Sequence, residues 1–209
     1  MTRSTASSRR AVCRRLSPST ARSSELHYTV GDYLLDVIQN SVEAEATRIA
    51  VHLAETNGEM RITVADNGTG MDAETLERAQ DPFYTDGVKH PRRAVGLGIP
   101  FLRQMVDATG GTFSLESSPG VGTELSLAVP GDHVDLPPLG ELPTVFQQAL
   151  CYSGDYEMVI QRRYGDAHYE LTRSELIDAL GEIDTVGSQT LLWEYLAAQE
   201  ESLRDMEVE

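Results

Sequence analysis

From Tyr28 to about Ala46, the apolar residues Leu34, Leu35, Ile38, Val42 and Ala46 recur at the three-and-four spacing of an amphipathic helix. The period then changes. RIAVHLAE (48–55) and EMRITVAD (59–66) alternate or run apolar around the turn signal Thr56-Asn57-Gly58, which predicts a β-hairpin. The glycine-rich loop DNGTGM (66–71) leads into a short amphipathic helix over Asp72–Gln80, with Asp72 as its cap. DPFYTDGVKHPRRAVGLG (81–98) reads as a long loop. A second strong helix runs from Ile99 to Thr109 and stops at Gly110-Gly111. GTFSLESS and GTELSLAVP are two more strands, split by the turn Pro119-Gly120-Val121-Gly122.

After Pro130 the pattern changes character. GDHVDLPPLGELP is a proline-rich link, and TVFQQALCY (144–152) is a candidate helix. YEMVIQRRY and AHYEL form a hairpin around Gly165-Asp166, and Thr172 with Glu175 makes a capping box for a helix to Leu180. A last helix, Ser188 to about Met206, places Leu192, Tyr195, Leu196 and Leu203 on one side. No internal repeat is visible. This division predicts a basic disordered tail over 1–25, a main domain over 28–130 and a small C-terminal interaction domain over 131–209.

Composition narrows the function classes. The 209 residues are 40% hydrophobic, enough for a packed core. No apolar run reaches membrane-spanning length and the first thirty residues lack the apolar segment of a secretory signal, so a cytoplasmic protein without a membrane partner is expected. Cys13 and Cys151 are far apart and in no CxxC spacing, which argues against a disulfide framework or a zinc site. Residues 1–24 carry six arginines and no acid, leaving 11 basic against 33 acidic groups, a net −22, over the other 185. That field disfavours nucleic acid as a partner and makes any polyanionic ligand depend on local devices such as backbone N–H groups, a divalent cation or a few basic side chains. The tail is poor in apolar residues, which predicts disorder. Its composition fits an organelle transit peptide, or an unstructured or mis-assigned extension with translation starting near Leu26.

Taken singly the glycine loops say little: DNGTGM suits a plain strand-to-helix turn, and no GxxxxGK[ST] phosphate loop is present. In VGLGIP (95–100) a glycine pair opens a helix, where backbone N–H groups and the helix dipole suit an anion. Their ordered combination is more specific. A helix with D-x-x-x-N, a hairpin ending in D-N-G-x-G-M, a P-F-Y-T segment, G-L-G at a helix start and G-x-G-T at a final strand together resemble the GHKL ATPases. That superfamily includes gyrase, a heat-shock chaperone, histidine kinases and the mismatch-repair MutL proteins. The resemblance covers about residues 30–130; QNSVEAEATRI looks most like MutL, and DPFYT with VGLGIPFLRQMVDATGGTFSLESSPGVGTELSL like a sensor histidine kinase catalytic domain. It implies an α/β (α+β) two-layer sandwich of the Bergerat, histidine-kinase-like type, a mixed and mostly antiparallel sheet covered by helices, followed by a small C-terminal α/β domain.

The resemblance also implies roles. Asn40 matches the asparagine that ligates Mg²⁺. Asp36, one turn earlier, stands where many members have a glutamate acting as base, though it is one methylene shorter. Asp66 matches the aspartate that accepts a hydrogen bond from the adenine amino group, Gly68 and Gly70 let the backbone pass close to the base, and Met71 belongs to the same box. Phe83 opens what would be a lid over ATP. Lys89, the chain's only lysine, gathers there with Arg92 and Arg93, either as a solvated loop or as cationic contacts to the phosphates. Gly96, Leu97 and Gly98 match the second glycine box, and Thr123 the threonine that braces the adenine-side water or the phosphates. Glu43, where histidine kinases often carry a basic residue, is expected to be solvated.

The function implied is a Mg-ATP-binding kinase or slow ATPase. His27 stands in a short lead without a helical-hairpin pattern, so phosphate is expected to pass to a partner protein and not to a histidine of the chain. The alternative is a non-catalytic, ATP-gated regulatory or assembly protein. VDLPPLGEL and the αββαα layout after it resemble small stand-alone ATP-binding proteins encoded beside iron-only hydrogenase subunits, which links that alternative to a hydrogenase or other redox complex. Relatives commonly dimerise, and a homodimer is the corresponding expectation.

Overall fold

The computed structural model describes residues 28–81, 98–183 and 185–205. Helix α1 (Val30–Glu43) starts at a complete capping box: the Thr29 hydroxyl accepts the Asp32 N–H, and the Asp32 carboxylate accepts the Thr29 N–H at 2.7 Å. Strands β1 (Arg48–Thr56) and β2 (Glu59–Asp66) make the expected hairpin, with Asn57 and Gly58 both at positive φ in its turn. Helix α2 (Ala73–Ala79) is capped by Asp72, whose Oδ1 accepts the Thr75 N–H at 2.8 Å. Next come α3 (Gly98–Thr109), β3 (Thr112–Ser118), β4 (Gly122–Pro130) and α4 (Leu142–Leu150). The chain continues as β5 (Glu157–Tyr164), β6 (Ala167–Thr172), α5 (Arg173–Leu180) and α6 (Val186–Asp205).

The six strands among the described residues belong to one sheet, ordered β3-β4-β2-β1-β5-β6. Every pairing is antiparallel except β1 with β5. Alternation decides which face is apolar. Val51 stands opposite Val64 on one side and Ile160 on the other, Val64 opposite Leu125, and Ile62 opposite Leu127, all of them buried. Leu34 and Ile38 of α1, Leu102 and Val106 of α3, Phe146 and Leu150 of α4, and Leu192 and Leu196 of α6 join the same core. His52, Arg61, Gln161 and Arg163 alternate with the core positions and remain exposed. The result is the expected two-layer arrangement of a mixed, mostly antiparallel sheet covered by helices.

The segment after Pro130, set apart as a small domain by its composition, shares this sheet, because β5 lies along β1 in parallel from Arg48↔Glu157 to Glu55↔Tyr164. The link before α4 is bound as well: the carbonyls of Pro138 and Leu139 accept the Val30 and Gly31 N–H groups of α1 at 3.0 and 2.9 Å.

Two local expectations differ from the structure. Thr172 makes no capping hydrogen bond to α5, and its Oγ1 is buried without a partner. The Glu157 carboxylate, at the start of β5, takes the Ser174 N–H instead at 3.1 Å. On α6, Tyr195 is 42% exposed, and the buried stripe runs through Leu192, Leu196, Glu200 and Leu203. Glu200 is buried in that stripe because Arg162 and Tyr169 meet it inside.

Candidate functional site

Val37 and Ser41 of α1 are buried on either side of Asn40, so one helix face carries both core and site residues. The hairpin brings Asp66, the last residue of β2, beneath this helix. Ser41 Oγ donates to Asp66 Oδ2 at 2.7 Å, and the Gly68 and Thr123 N–H groups donate to Oδ1 at 2.8 and 3.3 Å. A carboxylate offers about four lone-pair directions. Two of these donors share Oδ1, so Oδ2 retains room for one more donor beside Ser41.

Asn67, next in the motif, acts structurally. Its Oδ1 accepts the Thr47 and Arg48 N–H groups at 2.9 and 2.8 Å, and its Nδ2 donates to Thr47 Oγ1 at 2.9 Å. The glycines fit loop against loop. Gly70, at φ +64°, lies where a Cβ would be 2.0 Å from the Ser118 carbonyl oxygen, and Gly122, at φ +129°, where one would be 2.0 Å from that of Asp66. The space beside Gly68 is filled by Ala44. The Gly120 N–H closes the contact on the Thr69 carbonyl at 2.8 Å.

Ser117 links this loop to β4. It accepts the Met71 N–H at 2.8 Å and donates its single proton to the Gly122 carbonyl at 2.9 Å. With that proton committed, the 2.9 Å contact to Thr123 requires Thr123 Oγ1 to be the donor, which leaves the Thr123 oxygen as an acceptor.

Asn40, Asp66, Gly70, Met71 and Thr123 together line one cavity of about 370 Å³. Val37, Val64, Ile99, Leu115 and Leu125 supply its apolar walls, and Ser41, Thr69 and Thr75 further polar atoms. Its size and its mix of apolar wall and few polar groups suit a small organic ligand. Asn40's carboxamide makes no hydrogen bond among the described residues. Glu43 also lines the cavity, is exposed, and accepts from Gln39 Nε2 at 3.1 Å. Asp36, Gly68 and Gly98 do not line it; Asp36 and Gly98 meet between α1 and α3, with the Gly98 N–H donating to Asp36 Oδ2 at 2.8 Å. Phe83, Lys89, Arg92, Arg93, Gly96 and Leu97 lie outside the described residues. Sequence reasoning missed Ser41, Ser117 and the apolar walls. Ser41 stood one residue after Asn40 and could have been found as a hydroxyl on an otherwise buried stripe.

Comparisons with known proteins bear on this arrangement. The family model described as histidine kinase-, DNA gyrase B-, and HSP90-like ATPase matches residues 29–133. The chain is 30% identical over 132 residues to the CAI-1 autoinducer sensor kinase/phosphatase CqsS of Vibrio cholerae, covering 61% of this chain and 18% of that protein. It is 31% identical over 113 residues to the cell-division control histidine kinase PdhS of Brucella anthropi, covering 48% of this chain and 11% of that one. With the C4-dicarboxylate transport sensor protein DctB of Rhizobium meliloti it shares 36% over 90 residues, 41% of this chain and 14% of that one. The chain thus spans less than a fifth of the length of these relatives. Among solved structures, full-length ShkA in complex with AMPPNP matches at 25% identity and a TM-score of 0.38, over 47% of this chain and 20% of that one. The nucleotide-free catalytic domain of histidine kinase ThkA matches at 24% identity and a TM-score of 0.37, over 47% of this chain and 64% of that one.

Proposed function

Since the chain belongs to the family of histidine kinase-, DNA gyrase B- and HSP90-like ATPases, we propose that the cavity beneath α1 binds ATP with Mg²⁺ and supports phosphoryl transfer to a partner protein or slow hydrolysis. The observation that carries this reading is the convergence of Asn40, Asp66, Gly70, Met71 and Thr123 on one cavity. Asp66 supplies the base selectivity: an ionised carboxylate only accepts, so it favours the amino group of adenine over the carbonyl oxygen of guanine. Val64, Leu115, Leu125 and Ile99 offer apolar surface to the ring.

A magnesium ion fits the donor set. Asn40 offers a hard amide oxygen to the cavity, and no cluster of three His, Cys, Asp or Glu occurs among the described residues. The ion would therefore rely on Asn40, phosphate oxygens and water, as Mg²⁺ in nucleotide sites commonly does. Bound there it would neutralise phosphate charge, most of what phosphoryl transfer asks of a protein besides positioning. Lys89, Arg92 and Arg93 are proposed as further contacts to the phosphates.

The partner is proposed to dock on the C-terminal part. On α6, Leu191, Trp193 and Tyr195 stay exposed, and β6, α5 and α6 border a cavity of about 470 Å³. Binding without loss or transfer of the γ-phosphate would make the protein a regulator instead.

Calorimetry with ATP and GTP, with and without Mg²⁺, and release of labelled γ-phosphate test the reading. Asp66→Asn presents an amide to the base and should weaken ATP binding about tenfold or more while narrowing the preference over GTP. Asn40→Ala should abolish the magnesium dependence of binding and the turnover. No nucleotide binding at millimolar Mg-ATP would refute the proposal.

A further inference from the structure

We propose that Asp36 is a positioning residue, a clasp holding the start of α3 against α1, and not the base of the phosphoryl-transfer step. This rests on the ATP-site reading and deepens it. Asp36 Oδ2 accepts the Gly98 N–H at 2.8 Å, joining residues 62 positions apart. A carboxylate at the first turn of a helix is favoured by the unpaired N–H groups and the dipole there, and the charge strengthens the bond.

Gly98 fits this contact closely. A Cβ at that position would stand 2.7 Å from Asp36 Oδ2, 3.0 Å from Asp36 Cβ and 3.1 Å from the Tyr33 carbonyl oxygen. The glycine is therefore demanded by the approach of α1, independently of any phosphate. One turn away on both helices, the rings of Tyr33 and Phe101 stack with centroids 5.4 Å apart, and Tyr28 stacks on Tyr33 at 5.9 Å. The two helices are thus joined by a polar and an aromatic contact side by side.

The clasp governs the site from behind. Ile99, the residue after Gly98, lines the nucleotide cavity, as do Val37 and Asn40 on α1, whereas Asp36 and Gly98 do not. Fixing α3 to α1 at Gly98 therefore fixes the spacing between the Ile99 wall and Asn40. A general base needs a carboxylate oxygen within hydrogen-bonding reach of the proton it takes. Asp36 does not line the cavity, and its Oδ2 is directed to a backbone amide between two helices.

The test compares the full chain with Asp36→Ala and Asp36→Asn by three measurements: amide hydrogen exchange at Gly98–Leu102 without nucleotide, Mg-ATP affinity by calorimetry, and γ-phosphate release across pH. Asp36→Ala should speed exchange in the first turn of α3 and weaken Mg-ATP binding, each about tenfold. Asp36→Asn keeps an acceptor oxygen and should stay within about threefold of wild type in all three. Asp36→Asn that binds Mg-ATP normally but loses turnover, together with the acidic limb of the rate profile, would make Asp36 the base and overturn the proposal. Unchanged exchange in Asp36→Ala, or tighter nucleotide binding, would overturn it too. Should Asp36→Ala fail to fold, Gly98→Ala breaks the same contact from the other helix, and unchanged exchange there is equally fatal. Wild-type protein that binds no Mg-ATP defeats the site reading, while the exchange measurement still judges the clasp on its own.

Discussion

Arg162 is a charged residue only 1% exposed, in a strand position where the alternation of β5 asks for an apolar side chain. Its Nε lies 3.3 Å from both carboxylate oxygens of Glu200 on α6, its NH1 donates to the Arg163 carbonyl at 2.6 Å, and its NH2 meets Glu55 on β1. Tyr169 of β6 donates to Glu200 at 2.6 Å, and burial, then the nearby Glu200 charge, push its phenol well above the ordinary range. Four elements thus meet in one polar knot. Glu200→Ala removes one of the two carboxylates that compensate the buried Arg162 charge and leaves the Tyr169 hydroxyl without its acceptor, so it should destabilise the fold by about 3–5 kcal/mol. Arg162→Met combined with Glu200→Leu should cost less than Glu200→Ala alone, and denaturant titrations of the three proteins compare them. The sequence did not reveal this knot because its members lie on separate segments, and Glu55, Arg162 and Glu200 each look like an ordinary surface charge. Asp66 was legible for the opposite reason: its motif is contiguous, and only the donors that hold it, Ser41 and Thr123, come from 25 and 57 residues away.

At the scale of elements, the caps divide the same way. Thr29 with Asp32, and Asp72, cap their own helices and could be read from three or four residues of sequence. Asp36 on α3 and Glu157 on α5 cap helices to which they do not belong. Arg173 does the reverse at a C-terminus, donating to the Leu150 carbonyl at the end of α4 at 3.0 Å while its guanidinium lies 4.3 Å from the Tyr156 ring centroid. No local pattern announces such tertiary caps, which is why Thr172 was expected to cap α5. Glu157 gives this difference a pH signature. Burial pushes its carboxyl up, but hydrogen bonds from Ser174 and Met158 outweigh that and hold it below the ordinary glutamate value. A carboxyl depressed in the folded state contributes stability above the ordinary glutamate range and loses it as pH falls through the folded value. Thermal melts should therefore decline on acidification below about pH 4.5, and Glu157→Gln should lower the melting temperature at neutral pH yet show a smaller part of that acid decline. An acid decline identical in both proteins would remove Glu157 from the account.

For the whole molecule, hydrophobic period gave the six strands and the main helices, but the partner of β1 is a matter of topology that periodicity does not encode. A proline-rich link and a change of composition mark residue 130 as a boundary, while the hydrogen bonds cross it. Ile49, Val51 and Leu53 of β1 stand beside Met158, Ile160 and Arg162 of β5, and Pro138 and Leu139 hold the first N–H groups of α1. Phe146 and Leu150 of α4, both fully buried, belong to the same core as Leu34 and Ile38. Cutting the chain after Pro130 would strip β1 of its parallel neighbour, expose an apolar strand edge and uncover one side of α1. The shortened chain should lose cooperative unfolding and associate through that edge, as seen by calorimetry and size-exclusion chromatography. It should also lose the Mg-ATP binding proposed for the cavity, because α1, which carries Asn40, would lose the carbonyls at its start and the helix packed beside it. A shortened chain that melts cooperatively within a few degrees of the full protein and still binds nucleotide would make residue 130 a true domain boundary. The parallel pairing of β1 and β5 would then be an appended contact and not part of what builds the site.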